Sequence, residues 1–334
     1  MKKILFSCDN GLGDFIVSLP ALLSLAQNLE LSPVFFLGAL QAEYLLLFPC
    51  LQSIETYYDL CEIPISTEFY ALYSVRSKKS TLTFLKTLSR SLGVRIYYNL
   101  LHEDRLSFLY RRLLSNYHYS ELPSLFMMPL VSSFFRNYRR FCTYNYLVPP
   151  PTDLIPVSQI LLDYPKAINR YVLLSPAGQD PQRVLTYEQI SLLASMIEAP
   201  IVVVGNNSLL DVPTGSNIIN MFGITSLHQS ISLIANATLA ICMDSALAHI
   251  ANAYLSVPSI VIMGNASPSR WGPLPTHQNT RLVYSNAACS PCRQVSCKKY
   301  YNKYSCMQLP IVVRSIVQAI SELSCGLASP STFP

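Results

Sequence analysis

Short apolar runs alternate along this chain with longer segments in which apolar residues recur at helical spacing. Runs of this length are typical of parallel strands that are buried on both faces. In the first half the runs lie at 4–6, 34–37 and 95–98, and the helical segments at 15–29, 41–47 and 80–92. In the second half the runs lie at 171–174, 201–204, 239–242 and 259–263, and helical segments begin at Thr186 or span 226–235, 245–254 and 311–323. The alternation predicts an α/β protein with two doubly wound halves.

A proline-rich stretch separates the two halves. Residues 147–156 contain Pro149, Pro150, Pro151 and Pro156, and a sequence of this kind is stiff and extended. We therefore predict a first domain over 1–150, a second over 151–310, and a C-terminal helix and tail over 311–334. Two doubly wound halves joined by a hinge imply a ligand cleft between them.

The composition adds an expected location. The chain has 334 residues and is 51% hydrophobic, yet none of its apolar runs approaches the roughly 18–20 residues of a membrane span. Its start, Met1-Lys2-Lys3 followed by apolar residues, is similar to a signal peptide, but Asp9 and Asn10 end the apolar stretch too early. We expect a cytoplasmic protein.

The net charge of +5 is unevenly distributed. Residues 76–140 hold twelve Lys/Arg against three Asp/Glu, whereas the rest of the chain is acidic. This window is also rich in Tyr, Phe and Leu, which favours docking on an anionic membrane surface or a phosphorylated lipid. A solvated basic face is the alternative. No recognition motif accompanies the charge, so nucleic acid is not an expected partner.

The first candidate site is the segment Gly11-Leu12-Gly13-Asp14, which follows the first apolar run. The carboxyl ends of the strands are where ligands bind in open α/β sheets. Glycines allow a ligand to approach the backbone, and the first N–H groups of the following helix point at it. A carboxylate is unusual in a phosphate-binding loop, so Asp14 indicates an acid–base site.

The second candidate site is Met243–His249, again between a predicted strand and a helix. Asp244 and Ser245 are common helix-capping residues, and a simple cap is the alternative reading. His249 follows Ser245 by four residues and shares its helix face, where it could equally be a packing residue. The position at the edge of a second sheet favours binding of a diphosphate by the exposed N–H groups.

Four clustered cysteines form a third candidate site. Cys289, Cys292, Cys297 and Cys306 have a spacing that fits a closed four-thiolate metal site, and nearby Arg and Lys residues would offset its charge. Zinc is the default metal for such a site, and iron is also compatible. The site would be structural, and free thiols in a surface loop are the alternative.

Several of these segments resemble one family. Residues 11–14 with the following Ser18-Leu19-Pro20-Ala21-Leu22 resemble the N-terminal motif of the heptosyltransferases, glycosyltransferase family 9. Residues 244–251 resemble the C-terminal block of that family, and 223–227 the segment before it. A looser match to the donor-phosphate segment is formed by 175–178 with Arg183 and Tyr187-Glu188, and no motif is identified in the middle of the chain, 50–165.

The resemblance implies a GT-B architecture of two Rossmann-like domains, with the acceptor bound by the N-terminal half and an ADP-sugar by the C-terminal half. It implies an inverting reaction without a catalytic metal. Asp14 would be the general base, in an acceptor-side loop with Gly11 and Gly13. The donor would be bound by Arg183, Asp244, Ser245, Ala246 and His249.

The sequence departs from the family in two places. Ala246 replaces the usual glycine, and its methyl group could crowd a phosphate or forbid a positive φ angle. Residues 8–10, Cys-Asp-Asn, stand where the family often has a basic residue.

The function implied is transfer of a heptose-type sugar from an ADP-sugar to a lipopolysaccharide inner-core acceptor, at the inner-membrane surface. One alternative is a protein O-heptosyltransferase, because some members of that kind carry a cysteine-bound iron finger in the region of the four cysteines. The other alternative, motivated by Ala246, is a catalytically silent protein that binds nucleotide sugars.

Overall fold

The computed structural model divides the chain into two compact units, unit 1 over Met1–Thr152 and unit 2 over Asp153–Pro334. The helix predicted at 41–47 lies outside the residues that the structure describes, as does the part of the basic window beyond residue 98. The described residues are 2–9, 11–38, 48–65, 69–76, 78–98, 153–162, 168, 170–206, 210–266, 268, 272, 279–285, 287, 289–290, 297, 304–307 and 309–323.

Unit 1 contains a parallel sheet with the strand order β3-β2-β1-β4-β5. The runs predicted at 4–6, 34–37 and 95–98 form β1, β2 and β5, whereas β3 and β4 were not anticipated. The strands are β1 Lys3–Cys8, β2 Ser32–Phe36, β3 Glu55–Tyr57, β4 Phe69–Arg76 and β5 Arg95–Tyr98. The helices are α1 Leu12–Asn28, the short α2 Pro49–Gln52 and α3 Lys79–Leu92, with a 3-10 turn at Leu60–Glu62.

The central strand β1 is buried on both faces, as its continuous apolar sequence predicts. Successive side chains of a strand point to opposite faces of the sheet. Leu5 belongs to a cluster that includes Leu85 of α3, whereas the Phe6 ring stacks at 5.6 Å from the ring of Phe35. Phe35 is in turn 5.7 Å from Phe15 of α1. Helices therefore cover both faces of this sheet.

Asp9 links the carboxyl ends of β1 and β4. Its Oδ1 accepts a hydrogen bond from the main-chain N–H of Lys78 (3.0 Å), and its Oδ2 accepts one from the hydroxyl of Thr81 (2.6 Å). The carboxylate is buried and lies at the N-terminus of α3, where the helix dipole favours a negative charge. The residue that departs from the family pattern thus has a structural role in this chain.

Unit 2 contains a parallel sheet with the order β11-β10-β9-β6-β7-β8. The predicted runs form β6, β7, β9 and β10, and the short β8 and β11 were not anticipated. The strands are β6 Val172–Ser175, β7 Ile201–Val203, β8 Ile218–Asn220, β9 Leu239–Met243, β10 Ser259–Met263 and β11 Thr280–Tyr284. The helices are α4 Val157–Ile160, α5 Tyr187–Met196, α6 Leu227–Ala235, α7 Ala246–Ala253 and α8 Leu309–Glu322, with 3-10 turns at Pro181–Arg183 and Ser305–Met307.

Local signals in the sequence explain where two of these helices begin. The hydroxyls of Thr186 and Ser226 each accept a hydrogen bond from the N–H three residues later, and in each case the main-chain N–H of the cap residue donates to Oε1 of the glutamine at that later position. These are capping boxes, which satisfy N–H groups that the first turn of a helix leaves free. The helices pack on both faces of the sheet, α5 and α8 on one and α6 and α7 on the other.

Both sheets share one topology, in which the chain builds outward from a central strand in one direction and then in the other. The order reverses between β1 and β4 in unit 1 and between β6 and β9 in unit 2. The prediction of an α/β protein with two doubly wound parallel sheets is confirmed, and the predicted cleft between them stays a prediction. In the part of the chain that the structure describes, no helix is long and apolar enough to cross a membrane.

Candidate active site

The predicted glycine turn in unit 1 is the first turn of α1. Gly11 is the N-cap residue with φ −173° and ψ 139°, and the helix begins at Leu12 rather than at Phe15 as predicted. Gly13 and Asp14 are therefore helical. The extended backbone of Gly11 is open to any residue, so a left-handed turn is not the reason for this glycine.

Asp14 places a carboxylate at the edge of the sheet where the strand order reverses. Its side chain is buried, and its carbonyl oxygen accepts a hydrogen bond of 2.7 Å from Ser18 Oγ. A Cβ atom on Gly11 would lie 3.4 Å from Asp14 Oδ2, so the carboxylate lies close to the helix N-cap. An acidic residue in the first turn is favoured by the helix dipole.

In unit 2 the reversal point carries a charged cluster centred on Arg183. The Arg183 guanidinium donates from Nη1 to the carbonyl oxygen of Asp244 (3.0 Å) and from Nη2 to Asp180 Oδ2 (2.9 Å). The carboxylate of Asp244 is 3.6 Å from the same guanidinium and 3.9 Å from Nε2 of the buried His249. The structure thus brings three of the predicted donor residues together.

The segment that carries Arg183 packs against the ends of three strands. After β6 it folds back on itself, with the Gly178 N–H donating to the Arg183 carbonyl and Ala177 bridged to Val184. A Cβ atom on Gly178 would lie 3.2 Å from the Asp244 carbonyl oxygen at the end of β9. One on Gly264, after β10, would lie 2.1 Å from the Gln182 carbonyl oxygen. Only glycine allows this approach at position 264.

Ser245 is the N-cap residue of α7, yet its side chain makes no capping hydrogen bond. Its Oγ is buried and, among the described residues, has no hydrogen-bond partner. The Nε atom of Arg183 is likewise buried and has no hydrogen-bond partner among the residues that the structure describes. Buried polar atoms are nearly always hydrogen-bonded in native proteins. Both of these atoms can donate a hydrogen bond, which is the chemistry that suits an anion near a helix N-terminus.

Ala246 is the first residue of α7 and has a helical backbone. In the described part of the chain, positive φ angles at residues other than glycine occur at Glu30, Ser256 and Tyr304. The expectation that alanine could forbid a required positive φ is therefore wrong.

Cys242, just before this turn, is fully buried, and burial raises the pKa of its thiol to about 12, which keeps it protonated at neutral pH.

The described cysteines of the proposed metal loop do not form a cluster. Cys289 and Cys297 are half-buried, whereas Cys306 packs in the apolar cluster under α8. No group of three His, Cys, Asp or Glu residues that could bind a metal ion occurs in the described ranges. Cys292 lies outside them, so the four-cysteine site stays a prediction, which metal analysis of the purified chain would test.

Two Rossmann-type units, each with polar groups at its reversal point, are the architecture of GT-B glycosyltransferases. Residues 194–302 match the family described as glycosyltransferase family 9 (heptosyltransferase). This match lies within unit 2 and is to the family that the motifs of the sequence indicated. Among curated proteins, none matches the chain by sequence.

Solved structures of similar fold cover nearly the whole chain. The glycosyl transferase family 9 protein of Veillonella parvula DSM 2008 is 11% identical, with a TM-score of 0.63, over 96% of this chain and 97% of that one. The iron-containing dodecameric glycosyltransferase TibC of enterotoxigenic E. coli H10407 is 13% identical, with a TM-score of 0.62, over 97% and 76%. ADP-heptose lps heptosyltransferase II of E. coli is 14% identical, with a TM-score of 0.58, over 96% and 98%. At these identities the similarity shows the fold.

Three residues of these sites were missed by sequence reasoning: Asp9, Asp180 and Gly264. Gly264 carried a weak signal, because it ends a predicted strand at the ligand edge of the sheet. Asp9 carried none, since its partners Lys78 and Thr81 are known only once the strands are placed side by side. Asp180 precedes Arg183 by three residues, and this local spacing was the signal that could have found it.

The approach of Gly264 to Gln182 gives a stability prediction. We expect Gly264→Ala to lower the free energy of unfolding by about 1–3 kcal/mol, because the new methyl group must displace main-chain atoms. The matched control is Gly215→Ala, whose Cβ would meet the side chains of Ile218 at 3.4 Å and Asn217 at 3.8 Å, both ordinary contacts, and should change stability little. Denaturant unfolding of both variants checks this, and equal stabilities would contradict it.

Proposed function

We propose that this chain transfers a heptose-type sugar from an ADP-sugar to a lipopolysaccharide inner-core acceptor, with inversion at the sugar carbon. The observation that carries the proposal is the buried, unpartnered Ser245 Oγ at the N-terminus of α7. It lies in the turn whose residue Asp244 is bound by Arg183, at the reversal point of a Rossmann-type sheet.

The donor diphosphate would bind to this turn. The N–H groups of the first turn of α7, the Ser245 hydroxyl and the Arg183 guanidinium are all donors that suit phosphate oxygens. E. coli heptosyltransferase WaaC has been solved with ADP, and TibC with ADP-D-beta-D-heptose, and both resemble this chain in fold. These structures support an adenine nucleotide as the carrier of the sugar.

In the proposed reaction Asp14 accepts the proton of the acceptor hydroxyl as its oxygen attacks the sugar carbon. The bond from that carbon to the distal phosphate oxygen breaks, and its electron pair stays on the phosphate. Arg183 and the N–H groups of α7 would stabilise this charge as it develops. Asp244, held between Arg183 and His249, would accept hydrogen bonds from sugar hydroxyls.

Helix α3 supports a lipid-linked, anionic acceptor. Thr81, Leu85 and Leu88 form its buried face. Lys79, Lys86 and Arg90 are exposed, and their spacing places them along the opposite side of the helix. No acidic residue occurs between Lys79 and Leu92. A cationic stripe of this kind attracts anionic headgroups, which fits a cytoplasmic protein that works at the inner-membrane surface.

A protein acceptor is the second candidate, and its support is weaker. It depends on a metal finger, and the described cysteines do not gather into one. The alternative of a catalytically silent protein that binds nucleotide sugars is less well supported, because Ala246 adopts the helical backbone without strain.

Replacement of the proposed base gives a prediction on activity. We expect Asp14→Asn to lower the transfer rate about a hundredfold or more, because the amide cannot accept the proton, while the affinity for ADP stays unchanged. The assay uses purified protein, ADP-heptose and a Kdo–lipid A acceptor, with sugar transfer detected by mass. Undiminished transfer by Asp14→Asn would rule out the base, and no transfer by the wild type would rule out this donor–acceptor pair.

The cationic stripe of α3 gives a prediction on membrane binding. We expect the triple variant Lys79→Gln, Lys86→Gln and Arg90→Gln to bind phosphatidylglycerol-containing vesicles about tenfold to hundredfold more weakly. The control removes the same number of charges from unit 2, at Arg170, Arg281 and Arg314. Co-sedimentation with vesicles measures both, and an equal loss in the control would show that net charge alone is responsible.

A further inference from the structure

The Arg183 guanidinium is paired with more negative charge than it can balance. Asp180 Oδ2 is 2.9 Å from Nη2, and Asp244 Oδ2 is 3.6 Å from Nη1. These three groups together carry one net negative charge. The same turn is the proposed diphosphate site, so the phosphates would bind next to an excess of carboxylate.

The two carboxylates are not equivalent. The Asp244 side chain is 6% exposed and lies at the end of β9, whereas the Asp180 side chain is 26% exposed and precedes Arg183 by three residues in a short turn. Ion pairs that solvent reaches in this way are weak. Phosphate oxygens bind arginine by charge-assisted and often bidentate hydrogen bonds, which are stronger. Asp180 is therefore the carboxylate that yields more readily to a phosphate.

We infer that Asp180 is a specificity-determining residue that opposes anion binding at this site. Its carboxylate competes with phosphate for the Arg183 guanidinium before binding and repels the phosphate afterwards. This inference rests on the proposed function, since it needs the donor diphosphate at the α7 turn.

The opposition acts more strongly on the product than on the donor. When the sugar leaves, the electron pair of the broken bond stays on the distal phosphate oxygen, and the proton of the acceptor hydroxyl goes to Asp14. The ADP that remains therefore carries about one more negative charge than the ADP-sugar. Repulsion by Asp180 thus weakens binding of the product more than binding of the donor, which favours release of ADP after transfer.

Calorimetric titration of the full chain with ADP and with ADP-glucose tests the inference. We expect Asp180→Asn, which keeps the size of the side chain and removes its charge, to bind ADP about threefold to tenfold more tightly at low ionic strength. The gain should be smaller for ADP-glucose and should shrink as salt is added. A gain in affinity cannot result from misfolding. Asp211→Asn, an exposed position in the same unit, is the matched control and should change neither affinity.

Each other outcome counts against a specific part of the account. If the wild type binds ADP and Asp180→Asn binds it equally or more weakly, the inference is overturned and the donor site stands. An equal gain for ADP and ADP-glucose overturns the preference for product release. A wild type that binds neither nucleotide overturns the proposed donor, and the inference with it.

Discussion

The site in unit 2 depends on one hydrogen bond across the reversal point of its sheet, from Arg183 Nη1 to the carbonyl oxygen of Asp244. This bond joins the segment after β6 to the turn between β9 and α7. Because the acceptor is a main-chain atom, the contact fixes the backbone of the turn as well as one side chain. At Gly178 and Gly264 the same segment also packs closely against the ends of β9 and β10. The orientation of Ser245 therefore depends on three strand ends that the fold brings together.

The two units use the same topology for different purposes. In each, a helix follows the strand on the far side of the reversal point, α3 after β4 and α7 after β9. In unit 1 the N-terminus of that helix is occupied by the protein's own carboxylate, Asp9, which accepts from Lys78 and Thr81. In unit 2 the capping side chain, Ser245, leaves its helix N-terminus uncapped. This difference between the two helix N-termini supports the proposal that the diphosphate binds to unit 2 rather than to unit 1.

Sequence reasoning located most strands and helices, because their signals are local. Continuous apolar runs marked β1, β6, β9 and β10, and the polar residues Thr186 and Ser226 marked the starts of two helices. It missed β3, β8 and β11, which are short edge strands with half-buried residues, and β4, in which Tyr70 and Ser74 interrupt the apolar pattern. These strands are defined by pairing with neighbours rather than by their own composition.

The candidate sites could be predicted only in part, for the same reason. Asp14 and Ser245 were recognised because each lies where a predicted strand gives way to a helix, at an edge where ligands bind. The contacts from Asp9 to Thr81 and from Arg183 to Asp244 join residues 72 and 61 positions apart, and each follows only once the strand order is known. The start of α1 at Leu12 was also missed, because Gly11 and Gly13 suggest a turn while Asp14 favours a helix N-terminus.

The central claim is that the turn before α7 binds the phosphates of a nucleotide. Its most direct test is the dissociation constant of ADP for the wild type and for Ser245→Ala, measured by calorimetry with the exposed Ser195→Ala as control. The account predicts binding by the wild type, binding about fivefold to tenfold weaker in Ser245→Ala through loss of one hydrogen bond, and no change in the control. Equal affinities for all three proteins, or no binding by any of them, would contradict it.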